Sequence, residues 1–407
     1  MGIIKNKFQT NKLSFIVLFI GLWLFTLVSH GIYAGIGGLV FILIFLVIEK
    51  ISLKSIPIFE SLVFLLLFII SVLRFQLFLI EDVSSLYIDA FYGNVAKYIL
   101  CILVWITIRS ISLDNKGLYL EKLIAPLLAV HVGFFFLQFI VYLFANFYID
   151  FVEIFTGEAS RYEGFLSSLG IIRPTGMMVE PSTYFYVVLA LSMLLILKGD
   201  FLKYKVLLSL AIVSMYISFS TAALFITTLF VLYIFVTERI KWQFYFFAIV
   251  GVIMLFTVNT SILNQVYEAQ VSKTTGGGGD IRLALVEAVV NRDADIELTA
   301  LGAFANENSI TVLASGDARG RRIMGSINDS GVFIYMWTIL GFLGIVYFII
   351  LCFWQHKISK KHLILFLILS LTKIKVFGPL FVFYFAYSIT TNKKSLKIKN
   401  KEIRLFK

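Results

Sequence analysis

The chain has 407 residues, of which 60% are hydrophobic, 16% aromatic and only 14% charged. Roughly a quarter of a soluble domain is charged, so a mean hydropathy of +0.94 excludes a water-solvated globule and describes a chain solvated mainly by lipid. The net charge of +11 does not describe a nucleic-acid binder, because the basic residues gather at the ends of apolar segments and at both termini, as orientation signals do.

In chain order, apolar segments fall at 13–29, 33–48, 57–80, 92–111, 123–147, 183–197, 206–236, 243–259, 332–354 and 362–390. They are continuous rather than alternating, which predicts helices and argues against a β-barrel. The basic stretch Met1 to Lys12 precedes an apolar run that is followed at once by another. That pattern predicts a retained first membrane helix and no cleaved signal peptide. Cys101 and Cys352 each lie inside an apolar segment, which predicts ordinary thiols rather than a disulfide framework. His30, His131, His356 and His362 form no metal-ligand spacing.

Two runs are ambiguous. As one helix the 206–236 segment would be about 46 Å long, too long for one perpendicular span and short for two. Ser218, Ser220 and Thr221 in its middle predict a tight reversal. Lys373, Lys375, Gly378 and Pro379 interrupt the 362–390 run in the same way. Both termini are basic and so are expected in the cytoplasm, together with the short loops carrying Lys50/Lys54, Arg109/Lys116/Lys122, Lys198/Lys203/Lys205, Arg239/Lys241 and Lys357/Lys360/Lys361. The acidic loop with Glu81, Asp82 and Asp89 suits the outside. These assignments agree only if both ambiguous runs cross twice, which predicts an all-α polytopic integral membrane protein with about twelve crossings. Its parts are N-terminal helices (1–147), an external loop (148–182), central helices (183–259), a large external loop (260–331) and C-terminal helices with a basic cytoplasmic tail (332–407).

Charge near the start of a membrane helix is unfavourable unless it meets water, a partner or a substrate. The segment Arg173-Pro-Thr-Gly-Met-Met-Val-Glu180-Pro-Ser182 places a cation, a turn glycine and an acid there. Pro181 suits the first helical position, which puts Glu180 at the cap and the helix's free N–H groups at the outer surface, an anion site. Gly176 allows a turn that points Arg173 and Glu180 into one cavity, with Arg173 on a phosphate and Glu180 as a base or sugar-hydroxyl contact. The plainer alternative is an Arg–Glu pair that pins a loop.

In the large loop, Arg282, Arg319, Arg321 and Arg322 offer guanidinium forks matched to a diphosphate. They could equally form a solvated face or pair with Asp280 and Asp317. The run Gly276–Gly279 lacks the Lys-Ser/Thr of a P-loop and reads as a linker rather than a phosphate nest. Asp293-Ala-Asp295 spells a metal-binding pair, but its neighbours Arg292 and Glu297 favour a solvated acidic turn. Asp329-Ser330-Gly331 precedes the next crossing, so Asp329 either faces the cavity of Glu180 or caps the helix. Glu60 and Arg74 are fourteen residues apart, about 21 Å along a helix, so they do not pair with each other.

A many-crossing chain with R-x-x-G-x-x-x-E-P-S leading into a helix, an arginine-bearing external loop, and D-S-G before a helix containing Gly341-Phe-Leu-Gly344 resembles the Wzy-type O-antigen or polysaccharide-repeat polymerases, relatives of the O-antigen ligases. Two features depart from that pattern. Eleven residues after Arg161, Arg173 and Arg282 stand Ile172, Tyr184 and Asp293, not the glycine of the R-x10-G motif. No histidine falls between His131 and His356, whereas ligases carry an external one.

The resemblance implies a GT-C-like architecture in the bacterial cytoplasmic (inner) membrane and an inverting glycosyl transfer on its outer face. It implies a growing glycan on undecaprenyl diphosphate as donor, a lipid-linked repeat unit as acceptor, and no cofactor or metal. Expected partners are membrane lipid, a Wzz-type chain-length regulator and a Wzx-type flippase. Glu180, Arg173 and Asp329 would be catalytic; Arg282, Arg319, Arg321, Arg322, Gly176 and Ser182 would bind substrate. A flippase or transporter of the same lipid-linked units is the competing class, and an O-antigen ligase the nearer alternative.

Overall fold

The computed structural model describes residues 11–80, 85–114, 116–162, 172–199, 203–237, 290, 300, 302–304 and 330–389, with backbone alone at 29, 77–80, 85–89 and 221. Thirteen helices run through them: α1 (Lys12–Thr26), α2 (Gly31–Ile48), α3 (Ile58–Ile80), α4 (Ser85–Leu113), α5 (Gly117–Ala145), α6 (Phe151–Thr156), α7 (Pro181–Lys198), α8 (Lys205–Ile217), α9 (Thr221–Thr237), α10 (Val332–Leu340), α11 (Phe342–Ile358), α12 (Lys360–Ser370) and α13 (Pro379–Ile389). A single 3-10 turn joins α1 to α2, and no strand occurs among the described residues.

Among the described residues, six helical stretches are long and apolar enough to cross a membrane: Gly31–Ile48, Ile58–Gln76, Ala90–Leu113, Gly117–Ala145, Pro181–Lys198 and Val332–Ile358. In lipid every backbone polar group must be satisfied within the protein, which is why continuous apolar runs become helices. Large apolar side chains such as Tyr33, Val47 and Phe144 stand on the outside, Phe144 being 87% exposed. A water-soluble fold buries such residues; here they match a lipid solvent. The chain is therefore an all-helical, membrane-embedded protein.

The helix α7 is the axis of the bundle. Every residue from Thr183 to Ile196 is buried, the pattern of a helix apolar on all faces. It packs against α5, α8, α9 and α12. Tyr184 stacks on Phe135 of α5 at 4.5 Å between ring centroids and donates its hydroxyl to Ser214 Oγ of α8 at 2.7 Å.

The helices α1 and α2 form a close pair. A Cβ at Gly38 would lie 2.6 Å from Phe25 and 2.8 Å from the Gly21 carbonyl, so the two backbones meet where neither residue has a side chain.

Both expected interruptions are present. The helix α8 stops at Ile217, Phe219 takes the left-handed conformation at φ 48°, and α9 starts at Thr221. The helix α12 stops at Ser370 and α13 begins at Pro379. The 332–354 segment, read as one helix, instead turns at Gly341 (φ 61°) between α10 and α11. Glu60 and Arg74 indeed have separate partners. Glu60 pairs with Arg109 and accepts from Trp105 Nε1 at 3.0 Å, while Arg74 Nε donates to the Ala300 carbonyl at 2.7 Å.

That last bond belongs to a short piece of the large loop that docks on the bundle. Ala303 N donates to Ser71 Oγ at 2.9 Å, and Gly302 N to the Ile339 carbonyl at 2.9 Å. Phe304 is buried among Phe68, Phe91 and Tyr98.

Candidate functional site

The segment before α7 folds back on itself. Arg161 N donates to the Val179 carbonyl at 2.6 Å, and Arg173 N to the Tyr162 carbonyl at 3.3 Å. Tyr162 in turn stacks on Tyr148 at 3.8 Å, and the Tyr148 hydroxyl meets Thr175 Oγ1 at 3.1 Å. Asp150 caps α6 through Val152 N and Glu153 N and accepts from Ser160 N at 2.7 Å. One small aromatic and hydrogen-bonded cap thus covers the end of α7.

At its centre Gly176 has φ +61°, and an added Cβ would lie 3.1 Å from the Tyr184 ring. Glycine alone takes this conformation without strain and leaves that approach open. Met178 N closes the turn on the Thr175 carbonyl at 3.0 Å. His30, at the α1–α2 turn, donates from Nε2 to the Met177 carbonyl at 3.2 Å.

Glu180 is the N-cap of α7 and Pro181 its first residue, although the Glu180 side chain makes no capping bond. Its carboxylate points instead to cations from two distant parts of the chain. Arg161 Nη1 lies 2.5 Å from Oε1, and Lys373, in the break between α12 and α13, contacts Oε2. Ser182 Oγ donates to Oε2 at 3.1 Å. The side chain of Arg161 is 73% exposed, those of Glu180 and Lys373 only 25% and 20%. Burial by itself would raise the Glu180 carboxyl, but the charge and hydrogen bond of Lys373, with Arg161 and Ser182 behind them, hold it below the ordinary carboxylate range.

Arg173 stands apart from these pairs. Its Nε is buried without a hydrogen-bond partner among the described residues. Desolvation lowers its pKa and the nearby Glu180 charge partly offsets that. Arg173 thus feels the charge of Glu180, yet Glu180 is paired with Arg161 and Lys373 and not with Arg173. A half-buried guanidinium with an unsatisfied donor is suited to an anion.

The break that supplies Lys373 also lines a cleft of about 140 Å³. Lys97, Asn94 and Lys375 give it a polar side; Phe25, Leu100 and Leu380 are among its apolar walls. Lys97 Nζ donates to Asn94 Oδ1 at 3.2 Å, and Asn94 Nδ2 to the Phe304 carbonyl at 3.3 Å. Ile374 and Lys375, which follow Lys373 in the same break, line this cleft, whereas Arg161, Arg173, Glu180 and Lys373 do not. Among the described residues no three His, Cys, Asp or Glu side chains converge as a metal site would require.

Of the residues read from sequence, Arg173, Gly176, Glu180 and Ser182 come together. Arg282, Arg319, Arg321, Arg322 and Asp329 lie outside the described residues, as do Gly276–Gly279 and Asp293–Asp295. Gly331 of the D-S-G triplet is described. A Cβ there would lie 3.0 Å from the Ser370 carbonyl, so the triplet's end abuts the break that carries Lys373.

Sequence reasoning missed Arg161, Lys373 and Gln138 as site residues. Gln138 of α5 is fully buried and binds the 175–176 turn. A polar or charged side chain within an apolar run was the signal for the last two, since such a residue in lipid requires a partner.

Compared with models of known protein families, with curated proteins and with solved structures, the chain matched none.

Proposed function

We propose that this chain is a glycosyltransferase of the O-antigen polymerase type, which transfers a growing glycan from undecaprenyl diphosphate to a lipid-linked repeat unit at the outer face of the bacterial cytoplasmic membrane. One observation carries the reading: at the start of the central helix Glu180 is paired with Arg161 and Lys373 and its charge reaches Arg173, while the break that supplies Lys373 also lines a cleft with lysines on one side and apolar walls on the other. A diphosphate joined to an isoprenoid chain has that same division of charge and grease. The reading takes about twelve crossings, with both termini cytoplasmic.

In the reaction, the acceptor hydroxyl oxygen attacks the anomeric carbon of the donor glycan. The bond from that carbon to the phosphate oxygen breaks, and its electron pair leaves with the lipid diphosphate. Arg173 meets the developing charge with a donor that no described residue uses. The hydroxyl proton passes to the Glu180 carboxylate. Paired with Lys373 and Arg161, that carboxylate is a weak base. A bound diphosphate competes for the same two cations, and drawing them away raises the basicity of Glu180 when substrate is present. Arg282, Arg319, Arg321, Arg322 and Asp329 are retained as further contacts from the large loop.

The test is the glycan length ladder of cells expressing Glu180→Gln or Arg173→Ala. Each variant is expected to insert normally and to leave single repeats on lipid at the outer face, with long chains reduced at least about a hundredfold, the scale of a lost acid–base or charge-stabilising group. Normal chain lengths at normal levels in both variants would defeat the proposal. Repeats stranded on the inner side would point instead to a flippase.

A further inference from the structure

We infer that Gln138 is a positioning residue for this reaction: its carboxamide fixes the Thr175–Gly176 turn and thereby holds the backbone that carries Arg173 in place relative to Glu180. The inference rests on the function proposed above.

Gln138 sits on α5, 0% exposed, in a run that is otherwise largely apolar. A buried amide in such surroundings is strongly unfavourable unless all its groups are bonded. Here they are. Oε1 accepts from Thr175 N at 3.1 Å and from Gly176 N at 2.7 Å. Nε2 donates to the Ile149 carbonyl at 2.9 Å and to the Gly176 carbonyl at 3.0 Å. Two donors and two lone pairs are the whole capacity of a carboxamide, and one loop takes all four.

The bonds fall on the hinge of the site. Arg173 lies two residues before Thr175, and Glu180 four residues after Gly176. Glu180 is already fixed by the start of α7. Arg173 lies on an irregular segment held at one end by its N–H bond to the Tyr162 carbonyl and at the other by the turn that Gln138 fixes. Tyr148, through Thr175 Oγ1, holds the same turn from its other side. A buried donor on Arg173 that finds no partner among the described residues stays aimed only if the backbone carrying it cannot relax toward one.

Two variants of the full-length protein in detergent test this. Gln138→Met keeps the length and loses every bond; Gln138→Glu keeps the acceptor and loses the donors. Hydrogen exchange of the peptide spanning 172–180 and turnover of a lipid-linked repeat unit are measured together. Exchange at Thr175 and Gly176 is expected at least tenfold faster in Gln138→Met, with kcat at least tenfold lower and KM changed less than threefold. Gln138→Glu is expected to fall between wild type and Gln138→Met on both measures. Unchanged exchange at these two amides, or faster exchange with unchanged kcat, overturns the inference. If Gln138→Met also loosens the amides of α7, the same two criteria are applied to Gln138→Glu. Failure of the functional proposal shows separately, as wild-type turnover by Glu180→Gln.

Discussion

Glu180 is a carboxylate whose behaviour is set by residues far from it in sequence. Its cap position and the proline after it can be read from Glu180-Pro181 alone, because proline tolerates the first helical position. Its partners cannot: Arg161 is 19 residues away and Lys373 193. The direction of its shift follows from them, since burial alone would raise its pKa and the two cations bring it below the ordinary 4.5. A group with a lowered folded-state pKa contributes stability that is present above its unfolded value and is lost as pH falls through the folded one. Wild-type protein should thus lose melting temperature steadily from about pH 5 to about pH 3, whereas Glu180→Gln should start lower at neutral pH and lose less over that window. Thermal unfolding in detergent across this range checks the sign. Equal slopes for the two proteins would mean that Glu180 gains nothing from its partners.

Among the elements, α3 and α4 show how the bundle tolerates charge. Glu60 and Arg109 are 13% and 10% exposed and pair with each other, with Trp105 as a second donor to the acid. Removing one member of a buried pair leaves the other without compensation, at about 3–5 kcal/mol, while replacing both by apolar residues is often neutral. Arg109→Met is therefore expected to lower stability by roughly that amount, and Glu60→Leu with Arg109→Met to recover most of it. A double-mutant cycle on the unfolding midpoint decides; an Arg109→Met protein as stable as wild type would show the pair to be open to water. The sequence excludes a Glu60–Arg74 pair from the 21 Å that fourteen residues span along a helix. It could not supply Arg109 or the Ala300 carbonyl as the actual partners, because those choices depend on how helices are set side by side.

At the scale of the whole molecule, the proposal that the site faces outward rests on charge asymmetry between loops. In a protein carrying Cys101→Ser and Cys352→Ser, Glu158→Cys should react with a membrane-impermeant maleimide on intact cells. Lys203→Cys should react only after the membrane is opened. Labelling in the reverse order would place the residues before α7 in the cytosol and remove the site from the outer face. The sequence by itself determined the helical, lipid-solvated class of the chain, the breaks near 218–220 and 371–378, and the turn joining Arg173 to Glu180. Those properties are local: an apolar run must satisfy its own backbone in lipid, and a cluster of hydroxyl side chains, a glycine or a proline marks where it stops. Only the tertiary structure decided that Lys373 and Arg161 close on Glu180, that Gln138 holds the turn, and that the break carrying Lys373 also lines a cleft. These contacts join elements whose spacing along the chain carries no information about their distance in space, and packing around the buried α7 is what brings them together.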